Sequence, residues 1–85
     1  MQVRYTIQAA KELKKIGPAR DLIRSKILQY AADPGSLANN VKALKGADEF
    51  RLRVGDYRVL FALLGDGTIT IMEVKAIRHR REAYD

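Results

Sequence analysis

Arginines alternate with apolar residues on both sides of a tight turn in segment 49–61, which reads EFRLRVGDYRVLF. A two-residue loop at Gly55 and Asp56 would place Arg53 directly opposite Arg58 on one face of a hairpin. Facing like charges destabilise a sheet, so the pattern predicts that an anion lies between them. Clustered guanidinium groups bind phosphate oxygens through paired hydrogen bonds and stabilise the extra charge of a phosphorane-like transition state.

Further cationic side chains are expected on the same face or directly after the last predicted strand. Arg51 and Lys75 fall on the face of the arginine pair, and the run after that strand adds Arg78, Arg80 and Arg81. The alternative interpretation is a solvated sheet face on which arginine stems cover apolar surface. The convergence of the whole set favours an anion site, because self-repulsion opposes such an arrangement.

The end of the chain supplies the candidates for proton transfer and stacking. His79 has an unperturbed pKa near neutrality, so it is a candidate acid, base or stacking group. Tyr84 is a candidate for stacking on a nucleobase or orienting a hydroxyl. The structural alternatives are an exposed histidine in a basic tail and a tyrosine that anchors the tail to the core.

Charge and composition limit the functions that remain. The formal net charge of +6 and the pI near 9.9 suit a nucleic acid, an acidic protein partner or an anionic membrane surface. Without cysteine and with one histidine, the chain is expected to hold no metal and no cofactor. No apolar run is long enough to span a membrane and the N-terminus has no signal-peptide core, so we expect a cytoplasmic protein.

The periodicity of the chain predicts an α+β domain over residues 1–85 with the order β-α-α-β-β-β. An N-terminal strand is followed by an antiparallel helical hairpin, which packs on one face of a mostly antiparallel sheet. Residues 35–48 are predicted to be a loop, and three further strands are predicted at about 49–54, 57–64 and 68–76. Pairing of Gly65 with Thr68 would place Met72, Val74 and Ala76 on the core face. The opposite face is then cationic at one end and apolar at the other.

Three segments resemble the RelE/ParE toxin superfamily of bacterial type II toxin–antitoxin systems, with the RelE branch as the closest likeness. They are LKG at 44–46, FRLRVGDYRVLF at 50–61 and HRREAY at 79–84. The resemblance covers nearly the whole chain and implies a RelE-like fold. RelE-type toxins cut mRNA in the ribosomal A site without a metal. The 2′-hydroxyl attacks the adjacent phosphate and leaves a 2′,3′-cyclic phosphate and a 5′-hydroxyl.

The resemblance also implies roles for individual residues. Arg58 matches a phosphate-binding, transition-state-stabilising arginine, and Arg78 matches a proposed acid or leaving-group stabiliser. Tyr84 matches a tyrosine that stacks on the substrate base and orients the 2′-hydroxyl. Arg51 and Arg53 stand where well-studied members have lysines, one of them a proposed base. His79 belongs to a tail variant of the family and is a candidate acid or base. Lys75, Arg80 and Arg81 are expected to bind RNA.

The general base and the target stay open at this point. Arginine remains protonated at neutral pH, so the base is His79, Tyr84, Lys75 or a group that the ribosome supplies. Two alternatives are a ParE-like inhibitor of DNA gyrase and a non-catalytic module that binds RNA or the ribosome. The expected partners are a RelB-like antitoxin, the ribosome and mRNA, with operator DNA bound through the antitoxin and no membrane.

Overall fold

A computed structural model describes residues 1–44 and 48–81 of the chain. Within them, two helices pack on one face of a five-stranded sheet, which confirms the predicted α+β class. The strands are β1 (Gln2–Tyr5), β2 (Val41–Ala43), β3 (Glu49–Val54), β4 (Tyr57–Gly65) and β5 (Thr70–His79). The helices are α1 (Ile7–Ile16) and α2 (Arg20–Ala32), and 3₁₀ turns occupy Gly17–Ala19 and Pro34–Asn40. No helix in the described part of the chain is long and apolar enough to cross a membrane.

The sheet has the order β1-β5-β4-β3-β2, with β1 parallel to β5 and all other neighbours antiparallel. Gly17 ends α1 with φ 76°, a backbone conformation that glycine adopts without a steric penalty. The chain then turns into α2, so the helices lie side by side and connect β1 to the far edge of the sheet. That edge is β2, which lies within the segment 35–48 that the periodicity predicts to be a loop; the prediction is wrong at Val41–Ala43, because these residues pair with β3.

The core lies between the helices and the inner face of the sheet. Its largest fully buried side chains are Ile23, Ile27, Leu52, Val59, Phe61, Met72 and Val74. Phe61 contacts two further rings, with centroid distances of 5.1 Å to Tyr30 and 5.5 Å to Phe50. The helices therefore cover one face of the sheet, and the arginine-bearing face is left open.

The turn between β4 and β5 is longer than predicted. Asp66 accepts hydrogen bonds from the N–H groups of Thr68 (2.9 Å) and Ile69 (3.4 Å), and Gly65 pairs with Thr70 rather than Thr68. These hydrogen bonds hold the pKa of the Asp66 carboxyl below its usual value. Because the register moves by two residues, Met72 and Val74 still face the core as predicted.

A β-bulge in β5 overturns the predicted faces beyond that point. Leu60 pairs with Ala76 but Phe61 pairs with Val74, so Lys75 is an extra residue in the ladder. The hydroxyl of Thr6 donates to the carbonyl of Lys75 (3.1 Å) and accepts the N–H of Ala9 (3.1 Å) at the start of α1. The prediction that Ala76 lies on the core face is wrong, because the bulge places it opposite Leu60 on the open face.

Candidate functional site

Three arginines form a row across three strands of the open face. Arg53 of β3 pairs with Arg58 of β4, as predicted, and Arg58 pairs with Arg78 of β5. Without the bulge at Lys75, the register of β5 would have brought Ile77 opposite Arg58 and turned Arg78 to the core face. We call Arg53, Arg58 and Arg78 the arginine row.

Arg58 is the central member of the row. Its Nη1 donates to the backbone oxygens of Gly55 (3.2 Å) and Tyr57 (3.1 Å), which holds the guanidinium group over the hairpin turn. Desolvation lowers the pKa of Arg58, and the charges of Arg51, Arg53 and Arg80 lower it further, whereas Asp56 raises it. A site that disfavours its own positive charge in this way gains most from a bound anion.

A groove of about 240 Å³ lies beside the row, between β3 and the start of β2. Six of the residues that line it are Asn39, Asn40, Lys42, Arg51, Arg53 and Arg58. Lys42 pairs with Arg51 across β2 and β3, so a second pair of like charges faces the same groove. The groove therefore presents four cations to any occupant, a charge that suits nucleic acid phosphates.

Arg78 is held at its edge of the row by α1. Its Nε lies 3.5 Å from Oε2 of Glu12, while Oε1 of Glu12 accepts the N–H of Ile77 at 2.8 Å. The Nε of Arg78 is buried and makes no hydrogen bond within the described residues. Glu12 thus fixes the end of β5 and balances part of the charge of the row.

Glu12→Ala is expected to lower the free energy of unfolding by about 1–3 kcal/mol, because it leaves the N–H of Ile77 without its acceptor. Glu12→Gln keeps a carbonyl oxygen at that position and should recover most of the loss, since a half-buried ion pair as long as 3.5 Å contributes less than the backbone hydrogen bond. Urea denaturation of both variants measures this difference. Equal losses in the two variants would show that the charge, rather than the backbone hydrogen bond, is what stabilises β5.

The structure places two of the predicted residues away from the row. Lys75 reaches across β4 to an ion pair with Glu49 at 2.8 Å, and this hydrogen bond and charge raise the pKa of Lys75. His79 pairs with Tyr57 on the opposite face of the sheet, where the two rings meet edge to face at 5.3 Å. Nδ1 of His79 accepts the N–H of Arg81 at 3.2 Å.

Of the remaining predicted residues, Arg80 lies near the row, Arg81 is exposed at the end of the described residues, and Tyr84 lies beyond them. The side chain of Arg80 lies 3.8 Å from Asp56 and contributes to the positive potential at Arg58. Tyr84 lies outside the described residues, as do Lys45 and Gly46 of the first resembling segment.

Sequence reasoning missed the groove wall formed by Asn39, Asn40 and Lys42. The available signal was the alternation of Val41, Lys42 and Ala43 after Asn40, which is short but typical of an edge strand. Among the described residues no group of three or more metal-ligating side chains is found.

Comparison with known proteins identifies the family. The model of the ParE toxin of the type II toxin–antitoxin system parDE matches residues 3–84. The chain belongs to the ParE toxin family. It is therefore a toxin of a type II toxin–antitoxin system, within the RelE/ParE superfamily that the sequence resembles. No curated protein matches the sequence significantly.

Solved structures share the fold of the toxin. The YoeB/ParE toxin from Agrobacterium tumefaciens is 19% identical with a TM-score of 0.73, over 93% of this chain and 98% of that one. The isolated RelE toxin of E. coli is 18% identical with a TM-score of 0.74, over 92% and 82%. In the archaeal RelE-RelB complex from Pyrococcus horikoshii the matching chain is 26% identical with a TM-score of 0.64, over 96% and 97%. The predicted RelE-like fold is confirmed.

Proposed function

We propose that this toxin cleaves mRNA on the ribosome, with the arginine row binding the scissile phosphate. The observation that supports this most is the alignment of Arg53, Arg58 and Arg78 across three strands on an open sheet face. Three guanidinium groups in line match the non-bridging oxygens of a phosphodiester and the greater charge of its transition state. Since sheet strands are rigid, the row is organised before the substrate arrives.

The reaction needs only the substrate's own nucleophile. The 2′-hydroxyl attacks the adjacent phosphorus, the bond to the 5′-oxygen breaks, and a 2′,3′-cyclic phosphate and a 5′-hydroxyl result. One proton leaves the 2′-hydroxyl and one reaches the departing 5′-oxygen. The row would hold the phosphate and stabilise its charge, and Arg78 would neutralise the leaving oxygen, the role that the family resemblance implies for it.

Proton removal is assigned away from the row. Arginines stay protonated, Lys75 is paired with Glu49, and His79 faces the other side of the sheet. We therefore assign the proton acceptor to Tyr84 or to a group of the ribosome. Dependence on a ribosomal group would make free RNA a poor substrate and programmed ribosomes the effective one.

An antitoxin is the expected partner. Solved complexes of RelE with RelB from E. coli and from Pyrococcus horikoshii are among the structural neighbours. A RelB-like segment that carries carboxylates would complement the row and block substrate phosphate. Binding of operator DNA by such a complex would occur through the antitoxin.

Translation of a reporter with the purified toxin tests the proposal. Primer extension should reveal new mRNA ends at defined codons, and addition of the antitoxin should remove them. Full-length mRNA throughout, with translation unaffected, would reject this function.

Gyrase inhibition is the second candidate, favoured by the match to the ParE family and by the location of His79 away from the row. In that case the row would bind an acidic surface of the enzyme or its DNA. Supercoiling of a relaxed plasmid by purified gyrase should then stop on addition of the toxin, while translation continues.

A further inference from the structure

The outer wall of the groove has no part in the proposed chemistry. Asn39 and Asn40 end the 3₁₀ turn Pro34–Asn40, and Lys42 follows in β2. Together with Arg51 and Arg53 they face the same groove of about 240 Å³. These residues lie on β3 and on the β2 side of it, whereas the arginine row runs from β3 towards β5. This groove has room for a nucleobase beside a phosphate held by the row.

The backbone of this wall is fixed by contacts that do not involve the two amides. Leu37 of the 3₁₀ turn is buried in the core, and Val41 packs against it. The N–H of Val41 donates to the carbonyl of Ala38, and Val41 also pairs with Leu52 of β3. The positions of Asn39 and Asn40 are thus set by their neighbours.

The polar groups of the wall remain available for a ligand. Over residues 1–44 and 48–81, the side chains of Asn39, Asn40 and Lys42 take part in no hydrogen bond or ion pair. Asn39 and Lys42 are exposed and Asn40 is half-buried. Neither capping nor packing requires an amide at either asparagine, so the two amides are free to bind.

The chemistry of this wall differs from that of the row. The NH2 group of an asparagine amide can donate to N7 of adenine while its oxygen accepts from the N6 amino group. Single-stranded RNA exposes these base edges, and proteins read them by hydrogen bonding. Lys42 and Arg51 pair across the strands and can hold the phosphate of the same nucleotide.

We propose that Asn39 and Asn40 form a base-reading subsite, with Lys42 on its phosphate, for the nucleotide adjacent to the scissile phosphate. The subsite prefers adenine. It rests on the proposed RNA-directed function and adds to it the residues that select where the RNA is cut. The row supplies affinity for any phosphate, and the asparagine wall supplies the discrimination between bases.

Binding of short RNAs that cannot be cleaved tests this subsite without relying on catalysis. Single-stranded 2′-O-methyl hexanucleotides, identical except for one base, are titrated against the purified toxin by fluorescence anisotropy. We expect a hexanucleotide with adenine at one position to bind about 5- to 100-fold more tightly than those with another base there, the range for a bidentate base contact.

The double variant N39A/N40A should bind all hexanucleotides equally. Gln2→Ala removes an exposed amide from the opposite edge of the sheet and should leave the preference unchanged.

Lys42→Ala separates phosphate binding from base reading. It should weaken the binding of every hexanucleotide by a similar factor, while the adenine preference persists. The slope of the logarithm of the binding constant against the logarithm of the salt concentration should fall by about one.

The outcomes distinguish this subsite from the proposed cleavage. The wild-type toxin could prefer adenine, lose that preference in N39A/N40A, and yet leave mRNA intact on ribosomes. This result would support the base-reading subsite and reject the proposed nuclease activity. A wild-type toxin that binds all hexanucleotides equally, or binds none, would overturn the subsite. An adenine preference that survives in N39A/N40A would overturn it as well.

Discussion

Arg58→Ala is expected to reduce mRNA cleavage on programmed ribosomes by about 10²–10³-fold, the loss typical of removing one transition-state-stabilising donor. Arg58 lies between Arg53 and Arg78, and its guanidinium is anchored over the turn by two backbone oxygens. Within the row, it is the member that pairs with both of the others. Single-turnover cleavage of a labelled mRNA measures the effect.

Two further variants show whether the loss is specific. Arg58→Lys retains the charge but not the planar fork, so it should recover only part of the rate. Arg20→Ala removes an exposed arginine from α2, on the opposite side of the sheet, and should cleave at the wild-type rate. Wild-type cleavage by the Arg58→Ala toxin would show that the row takes no part in the mechanism. Equal losses of cleavage rate in Arg58→Ala and Arg20→Ala would show that only the net charge of the toxin matters.

Phe61→Ala is expected to lower the free energy of unfolding by about 3–5 kcal/mol, the range for deleting a buried aromatic side chain. Phe61 is 1% exposed and its ring contacts those of Tyr30 and Phe50, so it joins α2 to β3 and β4. For a domain of this size such a loss is a large fraction of total stability. Because β4 also carries Arg58, the variant should lose activity through unfolding.

Urea denaturation followed by circular dichroism measures the loss in Phe61→Ala. Phe61→Leu, which refills much of the space, should lose markedly less. Leu28→Ala is a control on α2, because Leu28 is 54% exposed and its truncation should cost little. A Phe61→Ala loss as small as that of Leu28→Ala would contradict the assignment of this ring to the centre of the core.

The β3–β4 hairpin could be predicted in detail from the sequence because its pairing is local. A two-residue turn leaves one register, and that register puts Arg53 opposite Arg58. The helical hairpin was equally clear, since Gly17 and Pro18 separate two stretches with helical periodicity. These features depend on residues that are close in the chain.

The parts that could not be predicted depend on contacts between distant residues. At the bulge, the carbonyl of Lys75 accepts a hydrogen bond from the hydroxyl of Thr6, which lies 69 positions away in the sequence. By inverting the alternation of β5, it brings Arg78 into the row and sends His79 to the other face. Strand β2 is three residues long and forms only by pairing with β3, so the groove wall was missed.

This inversion alters the chemical interpretation of the site. Without the bulge, the register of β5 would have placed the apolar Ile77 opposite Arg58, and His79 on the open face opposite Asp56. The bulge places a third guanidinium opposite Arg58 and turns His79 to the other face, and arginine cannot accept a proton at neutral pH. The described face is therefore suited to holding and stabilising a phosphate, and the proton acceptor belongs to Tyr84 or to the ribosome in our proposal.

Cleavage of a programmed ribosome complex with a single 2′-deoxy substitution tests the central claim most directly. The mRNA is labelled, and the nucleotide before the scissile phosphate carries either a 2′-hydroxyl or a hydrogen. The proposal predicts a cut with a 2′,3′-cyclic phosphate end for the ribose substrate, loss of that cut in Arg58→Ala, and no cut for the deoxy substrate. An uncut ribose substrate, or equal cleavage of both substrates, would contradict it.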